Sequence, residues 1–112
     1  MWGICLEDII TDEIYLYQRA VEYQLDPDSH IVNVLQPVKD IKILSDRIMT
    51  PDKPPAFEYG DLVSPDNHSD LIGTVSEIVW HFKNRDYNYY ITVNSRKKSK
   101  RYYADDLIKR IC

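Results

Sequence analysis

Pro51-Asp52-Lys53-Pro54-Pro55, close to the middle of the chain, sets the first limit on how it can fold. Each proline fixes φ and removes a backbone donor, so neither a helix nor a sheet ladder runs through such a segment. The segment predicts a boundary: an N-terminal region over 1–50, a proline-rich linker over 51–56 and a second region over 57–112. With 112 residues, 44% hydrophobic and 29% charged, the chain has material for a core without metals or disulfides. One domain, or one small domain with an extension, is the expectation.

Charge is unevenly spread about that boundary. Residues 1–56 hold 5 Lys+Arg against 10 Asp+Glu, a net of −5, whereas residues 57–112 hold 9 against 8, a net of +1. A chain with an overall charge of −4 is not a general polyanion binder. Any case for nucleic acid rests on one local run, Arg96-Lys97-Lys98-Ser99-Lys100-Arg101. No apolar stretch approaches the roughly 18–20 residues of a membrane helix, and Met1-Trp2-Gly3-Ile4-Cys5-Leu6-Glu7-Asp8 lacks the basic start of a secretory leader. The expected compartment is the cytoplasm. There Cys5 and Cys112 read as two free thiols rather than a disulfide, and without a Cys-x-x-Cys pair no structural zinc is expected.

Before the prolines the pattern reads as helical. Thr11 stands where an N-cap would, followed by Asp12 and Glu13 at the positive end of a helix dipole. Ile14, Tyr17, Val21 and Leu25 then recur at helical spacing, and Asp26-Pro27-Asp28-Ser29 ends the run. Ile31 to Leu35 is β-branched and reads as a strand. Pro37 is placed to open a second helix over 37–49, with Val38, Ile41, Ile43 or Leu44, and Ile48 as its buried stripe. The competing reading takes Ile31 to Leu44 as two short strands around the proline.

After the prolines the pattern reads as strands. Tyr59 to Ser64 is the first, stopped by the polar loop Pro65 to Asp70. Ile72 to Lys83 is long, with Gly73 as the expected site of a bend or bulge. Asn84-Arg85-Asp86 turns into Tyr87–Val93, where Tyr87, Tyr89, Ile91 and Val93 share one face and Asn88, Tyr90 and Thr92 the other. A hairpin over Asn94–Lys97, a returning run Ser99–Tyr103, a tight helical turn over Ala104–Leu107 and a last strand Ile108–Ile111 complete it. No internal repeat is visible.

Tyr59-Gly60-Asp61-Leu62-Val63, Ile72-Gly73-Thr74-Val75, the hairpin on Tyr87–Val93 and Arg101-Tyr102-Tyr103-Ala104-Asp105-Asp106-Leu107 together resemble the SH3-like small-barrel superfold, of KOW and Tudor type, over residues 57–111. The resemblance implies a small antiparallel barrel. It also implies a binding role, toward proline-rich peptides, methylated side chains, nucleic acid or partner proteins; fold alone does not choose among them. The acidic loop and Trp pair of peptide-binding members are missing, which speaks against proline-rich ligands. The expected class is thus α+β, a helical region packed on the barrel.

Trp80, Phe82, Tyr87, Tyr89, Tyr90, Tyr102 and Tyr103 lie close together in sequence. The plain reading packs them, one set into the barrel and one against the N-terminal helices. The functional reading exposes His81, Tyr90 and Tyr102 as anchors on a binding face. Lys97, Lys98, Lys100 and Arg101 would clamp phosphates if the ligand were nucleic acid, with Tyr90 and Tyr102 stacking on bases. Otherwise they are a solvated hairpin tip that blocks edge-to-edge pairing. Asp66, His68 and Asp70 make a weak cation loop without an organising glycine, and no metal is expected there. No nucleophile stands in a catalytic motif, and the only glycines are Gly3, Gly60 and Gly73. The sequence therefore points to a non-catalytic binding module without cofactor, engaging a protein partner. A nucleic-acid-binding module built on the 96–101 hairpin is the alternative, and a small enzyme comes third.

Overall fold

The computed structural model describes residues 1–27 and 30–110; Asp28, Ser29, Ile111 and Cys112 lie outside the described residues, and with them the end of the expected helix stop and the second thiol. The protein is all-β: two antiparallel five-stranded sheets, two short 3₁₀ turns and, among the described residues, no α-helix. The expected α+β class, with helices over 1–50, is overturned. The chain divides into two units, Met1–Pro54 and Pro55–Cys112, and each has its own sheet. Among the described residues no helix is long and apolar enough to cross a membrane.

The first unit contains β1 (Trp2–Cys5), β2 (Ala20–Leu25), β3 (Ile31–Gln36), β4 (Ile41–Leu44), a 3₁₀ turn (Ser45–Arg47) and β5 (Ile48–Met49), in the sheet order β4-β3-β2-β1-β5. The helical spacing of Ile14, Tyr17, Val21 and Leu25 is coincidental. From Val21 on, burial follows the two-residue period of a strand, with Val21 and Tyr23 inside, Glu22 and Gln24 outside, and Leu25 exposed at the strand's end. Thr11 does make the bonds of a cap: its hydroxyl accepts the N–H of Ile14 at 2.9 Å and donates to the Ile14 carbonyl at 2.8 Å. They close a tight turn under the Ile10–Tyr15 bridge instead of opening a helix. Gln18 then takes a left-handed φ of 67°, and its N–H bonds back to the Cys5 carbonyl. A helix cannot pass through that geometry.

Residues 37–49 form no helix either. Pro37 to Asp40 turn the chain, and β4 returns along β3 with Val32 opposite Ile43 and Val34 opposite Ile41. The two-strand reading is the one realised, because Val32, Val34 and Ile43 reach one core only if both segments are extended. Gly3 lets β1 lie this close to its neighbours; a Cβ there would stand 2.9 Å from the Tyr23 ring and collide with Ile48.

The second unit contains β6 (Leu62–Pro65), β7 (Gly73–His81), β8 (Asp86–Val93), β9 (Arg96–Lys97), a 3₁₀ turn (Ala104–Asp106) and β10 (Leu107–Lys109), in the order β10-β6-β7-β8-β9. Its curled sheet is compatible with a small barrel. The irregularity in β7 lies between Val75 and Glu77, not at Gly73. That extra residue shifts the phase of the strand, so odd-numbered Val75 and even-numbered Ile78 and Trp80 all point into the core. Gly73 instead permits a close approach of strands, since a Cβ there would lie 3.1 Å from the Thr92 carbonyl oxygen and 3.1 Å from a Val93 methyl. Trp80 packs edge-on against its cross-strand partner Tyr87 at 4.9 Å, and Phe57 against Tyr89 at 5.2 Å. Asn94 and Ser95, at φ of 51° and 64°, make the two-residue hairpin turn that suits strand twist. Phe82 leaves the core and is exposed in the β7–β8 turn, so the alternation that buries Ile78 and Trp80 ends at Trp80.

The two units repeat one topology, a repeat that the sequence conceals. Each places its last strand beside its first and a 3₁₀ turn before the last strand. The registers coincide: Cys5 faces Ile48 as Pro65 faces Leu107, and Ile4 faces Met49 as Ser64 faces Ile108. The Leu6 N–H donates to the Arg47 carbonyl at 2.8 Å, and the Asp66 N–H to the Asp106 carbonyl at 2.8 Å. By this register Ile43-Leu44-Ser45-Asp46-Arg47 corresponds to Tyr102-Tyr103-Ala104-Asp105-Asp106, in which only one residue, Asp46 with Asp105, is identical.

Candidate functional site

In the second unit the polypeptide after β9 crosses back over the sheet. The Lys98 N–H donates to the Ile91 carbonyl at 2.9 Å, and Tyr102 exchanges both backbone bonds with Tyr89, at 2.8 and 3.0 Å. Opposite residues share a face, so Tyr102 belongs with the inward Tyr89 and not with Tyr90. Tyr102 is 9% exposed. The next turn is held by the Asp106 carboxylate, whose Oδ2 accepts the Tyr103 N–H at 2.9 Å, and by the Asp66–Asp106 backbone bond. Between the loop after β6 and this turn lies a cleft of about 240 Å³, lined by Asp66, Asn67, Lys100, Tyr102 and Asp106.

Few of the cleft's polar groups are used internally. The Tyr102 hydroxyl makes no hydrogen bond among the described residues, and since no sealed side-chain oxygen or nitrogen among them lacks a partner, this hydroxyl is reached by solvent. The Asp66 carboxylate and the Asn67 amide likewise have no partner among the described residues. The Lys100 ammonium stands over the Tyr102 ring, 5.2 Å from its centroid, a cation–π contact and not an ion pair. The cleft therefore combines an aromatic floor, a hydroxyl, an amide, two carboxylates and one cation that can swing aside.

The residues singled out from sequence are divided among three places. Lys100 and Tyr102 meet in the cleft. Lys97 pairs with Glu77, a carboxylate only 6% exposed, whose cross-strand neighbour is half-buried Tyr90. His81 stands four residues along β7, about 13 Å from Glu77 at strand rise, where its Nδ1 accepts the Asn84 N–H at 3.3 Å and closes the β7–β8 turn. Lys98 and Arg101 are exposed. His81, Tyr90 and Tyr102 therefore form no single face. Asp66 belongs to the cleft, whereas His68 lies 3.7 Å from Asp70 and both line a different hollow. Sequence reasoning missed Asn67 and Asp106; the acidic pair following Tyr102-Tyr103 was the one available signal, and nothing local ties it to the loop at 66–67.

Outside the cleft, two buried groups have pKa values displaced upward. Burial raises the Cys5 thiol, which is free and donates to the Glu7 carbonyl at 3.4 Å. Burial likewise pushes Tyr89 up to about 12, although its hydroxyl oxygen accepts the Ala56 N–H at 2.8 Å.

A family model described as a family of unknown function, DUF6960, matches residues 39–108, which include every residue of the cleft. The chain belongs to that family. No curated protein and no solved structure matches it.

Proposed function

We propose that this DUF6960 chain is a non-catalytic binding module of two SH3-like barrels that engages a protein partner through the cleft of its second unit. The barrel assignment is supported by the strand order and by the 3₁₀ turn before the last strand, both present twice. The observation that carries the binding role is the cleft itself, a buried tyrosine floor whose rim includes Asp66 and Asn67, side chains that the fold does not use. Such a surface costs little to desolvate at its floor and offers directional contacts at its rim, the pattern of protein interfaces.

The basic run supports the nucleic-acid alternative less well. Lys97 is held by Glu77, and Lys100 is drawn over Tyr102 between Asp66 and Asp106, whose charges repel phosphate. Affinity purification of the tagged chain tests the reading. One partner protein retained by the wild type and lost with Asp66→Lys, at an unchanged melting temperature, is the expected result. Retention of single-stranded nucleic acid at about 50 mM salt, weakening steeply as salt rises, would replace the protein reading.

A further inference from the structure

We propose that the cleft between the β6–β7 loop and the Ala104–Asp106 turn takes a guanidinium group, an arginine side chain of the protein partner; this rests on the binding reading above. At the corresponding corner of the first unit an arginine already meets a carboxylate, as a solvent-exposed pair. There Arg47 occupies the place of Asp106, and its Nε lies 3.4 Å from Oε2 of Glu7, the position that corresponds to Asn67. Ile43, 3% exposed, stands where the second unit has Tyr102. One corner of the fold thus accommodates an arginine beside a carboxylate, both supplied by the chain.

In the second unit the chain's own arginine is replaced by the Asp106 carboxylate. A second carboxylate, Asp66, faces the same 240 Å³ space without a partner among the described residues, and the apolar floor has become a ring with an open hydroxyl. Asn67 gives up the carboxylate of Glu7 but keeps an amide oxygen as acceptor, and the other changes, to Asp66, Tyr102 and Asp106, make the corner a better receptor for a planar cation. A carboxylate offers a forked pair of acceptors, the ring face attracts positive charge, and the hydroxyl oxygen is an acceptor at the rim. Lys100 already demonstrates the preference, since its ammonium sits 5.2 Å from the ring centroid although it is free to point to water. It is the internal competitor that an arginine has to displace.

The probe is capped arginine (N-acetyl-arginine amide), followed by amide and tyrosine-ring NMR shifts in the full-length chain, with capped lysine and capped glutamate as comparisons. Saturating shifts at Asp66, Asn67, Tyr102 and Asp106 with arginine, smaller with lysine and missing with glutamate, are expected. Lys100→Gln removes the competitor and tightens arginine binding about two- to fivefold, the worth of one exposed cation–π contact. Asp66→Asn, which keeps the backbone bond to Asp106, weakens it by about the same factor. Equal responses to arginine and glutamate, equal responses to arginine and lysine, or an affinity indifferent to Lys100→Gln would each overturn the inference. A partner retained in the purification while the cleft ignores arginine would overturn it and leave the binding reading standing.

Discussion

Replacing Tyr89 by phenylalanine removes one oxygen from a buried side chain of the second unit, and the effect changes sign with pH. The ring is 1% exposed and its hydroxyl accepts the Ala56 N–H at 2.8 Å. At neutral pH the variant loses that bond, a cost of about 1 kcal/mol. The folded protein holds the phenol protonated up to about 12, whereas the unfolded chain releases the proton near its ordinary value of 10.0. A group whose folded pKa is raised contributes stability below the unfolded pKa and loses it as pH climbs to the folded one. The wild type thus loses about 1.4 kcal/mol per pH unit across that window, a loss the phenylalanine variant does not share. The other tyrosines are common to both proteins and cancel in the difference. Wild type is more stable at pH 7, the two are equal between about pH 10.5 and 11, and the variant is the more stable above that. Urea denaturation of both proteins from pH 7 to 11.5 measures the gap. A gap that stays constant or widens with pH would show that Tyr89 is not enclosed as described.

Gly73→Ala destabilises the second unit by about 1–3 kcal/mol in a thermal melt, because the new methyl meets the Thr92 carbonyl and the Val93 side chain at 3.1 Å. Gly60→Ala costs less, about 1 kcal/mol from its φ of 87° alone, since nothing lies within 4 Å of the added carbon. Ile43→Ala empties a site that is 3% exposed and costs about 2–5 kcal/mol in chemical denaturation, whereas its outward neighbour Lys42→Ala shifts stability by less than about 0.5 kcal/mol.

The second half was legible because its strands announce themselves twice, through β-branched and aromatic residues and through turn residues between them. Tyr87, Tyr89, Ile91 and Val93 do share the buried face that alternation assigns to them. The first half was not, because two periods overlap there. Ile14, Tyr17, Val21 and Leu25 satisfy the helical one, but Leu25 is exposed and Tyr23, which that stripe omits, is buried. The choice is made by partners distant in sequence, β1 and β3, that no window can see. Thr11 misled for a related reason: one hydroxyl makes the same bonds at a helix start and in a turn. The bulge after Val75 has no signal, since Ser76 is an ordinary strand residue, and glycine is the wrong place to look for it. Half of the cleft was within reach, as Lys100 and Tyr102 sit two residues apart. Asp66 and Asp106 are brought together only by the register of β6 with β10.

A fold that occurs twice in one polypeptide frees one copy from doing what the other does. In the first copy Arg47 and Glu7 pair with each other at that corner, both about half exposed. In the second copy the same corner presents Asp66, Asn67 and Asp106 to the cleft. The two copies differ at this corner in Arg47 against Asp106 and in Glu7 against Asn67, so side chains and not the fold separate a corner that pairs with itself from one that does not.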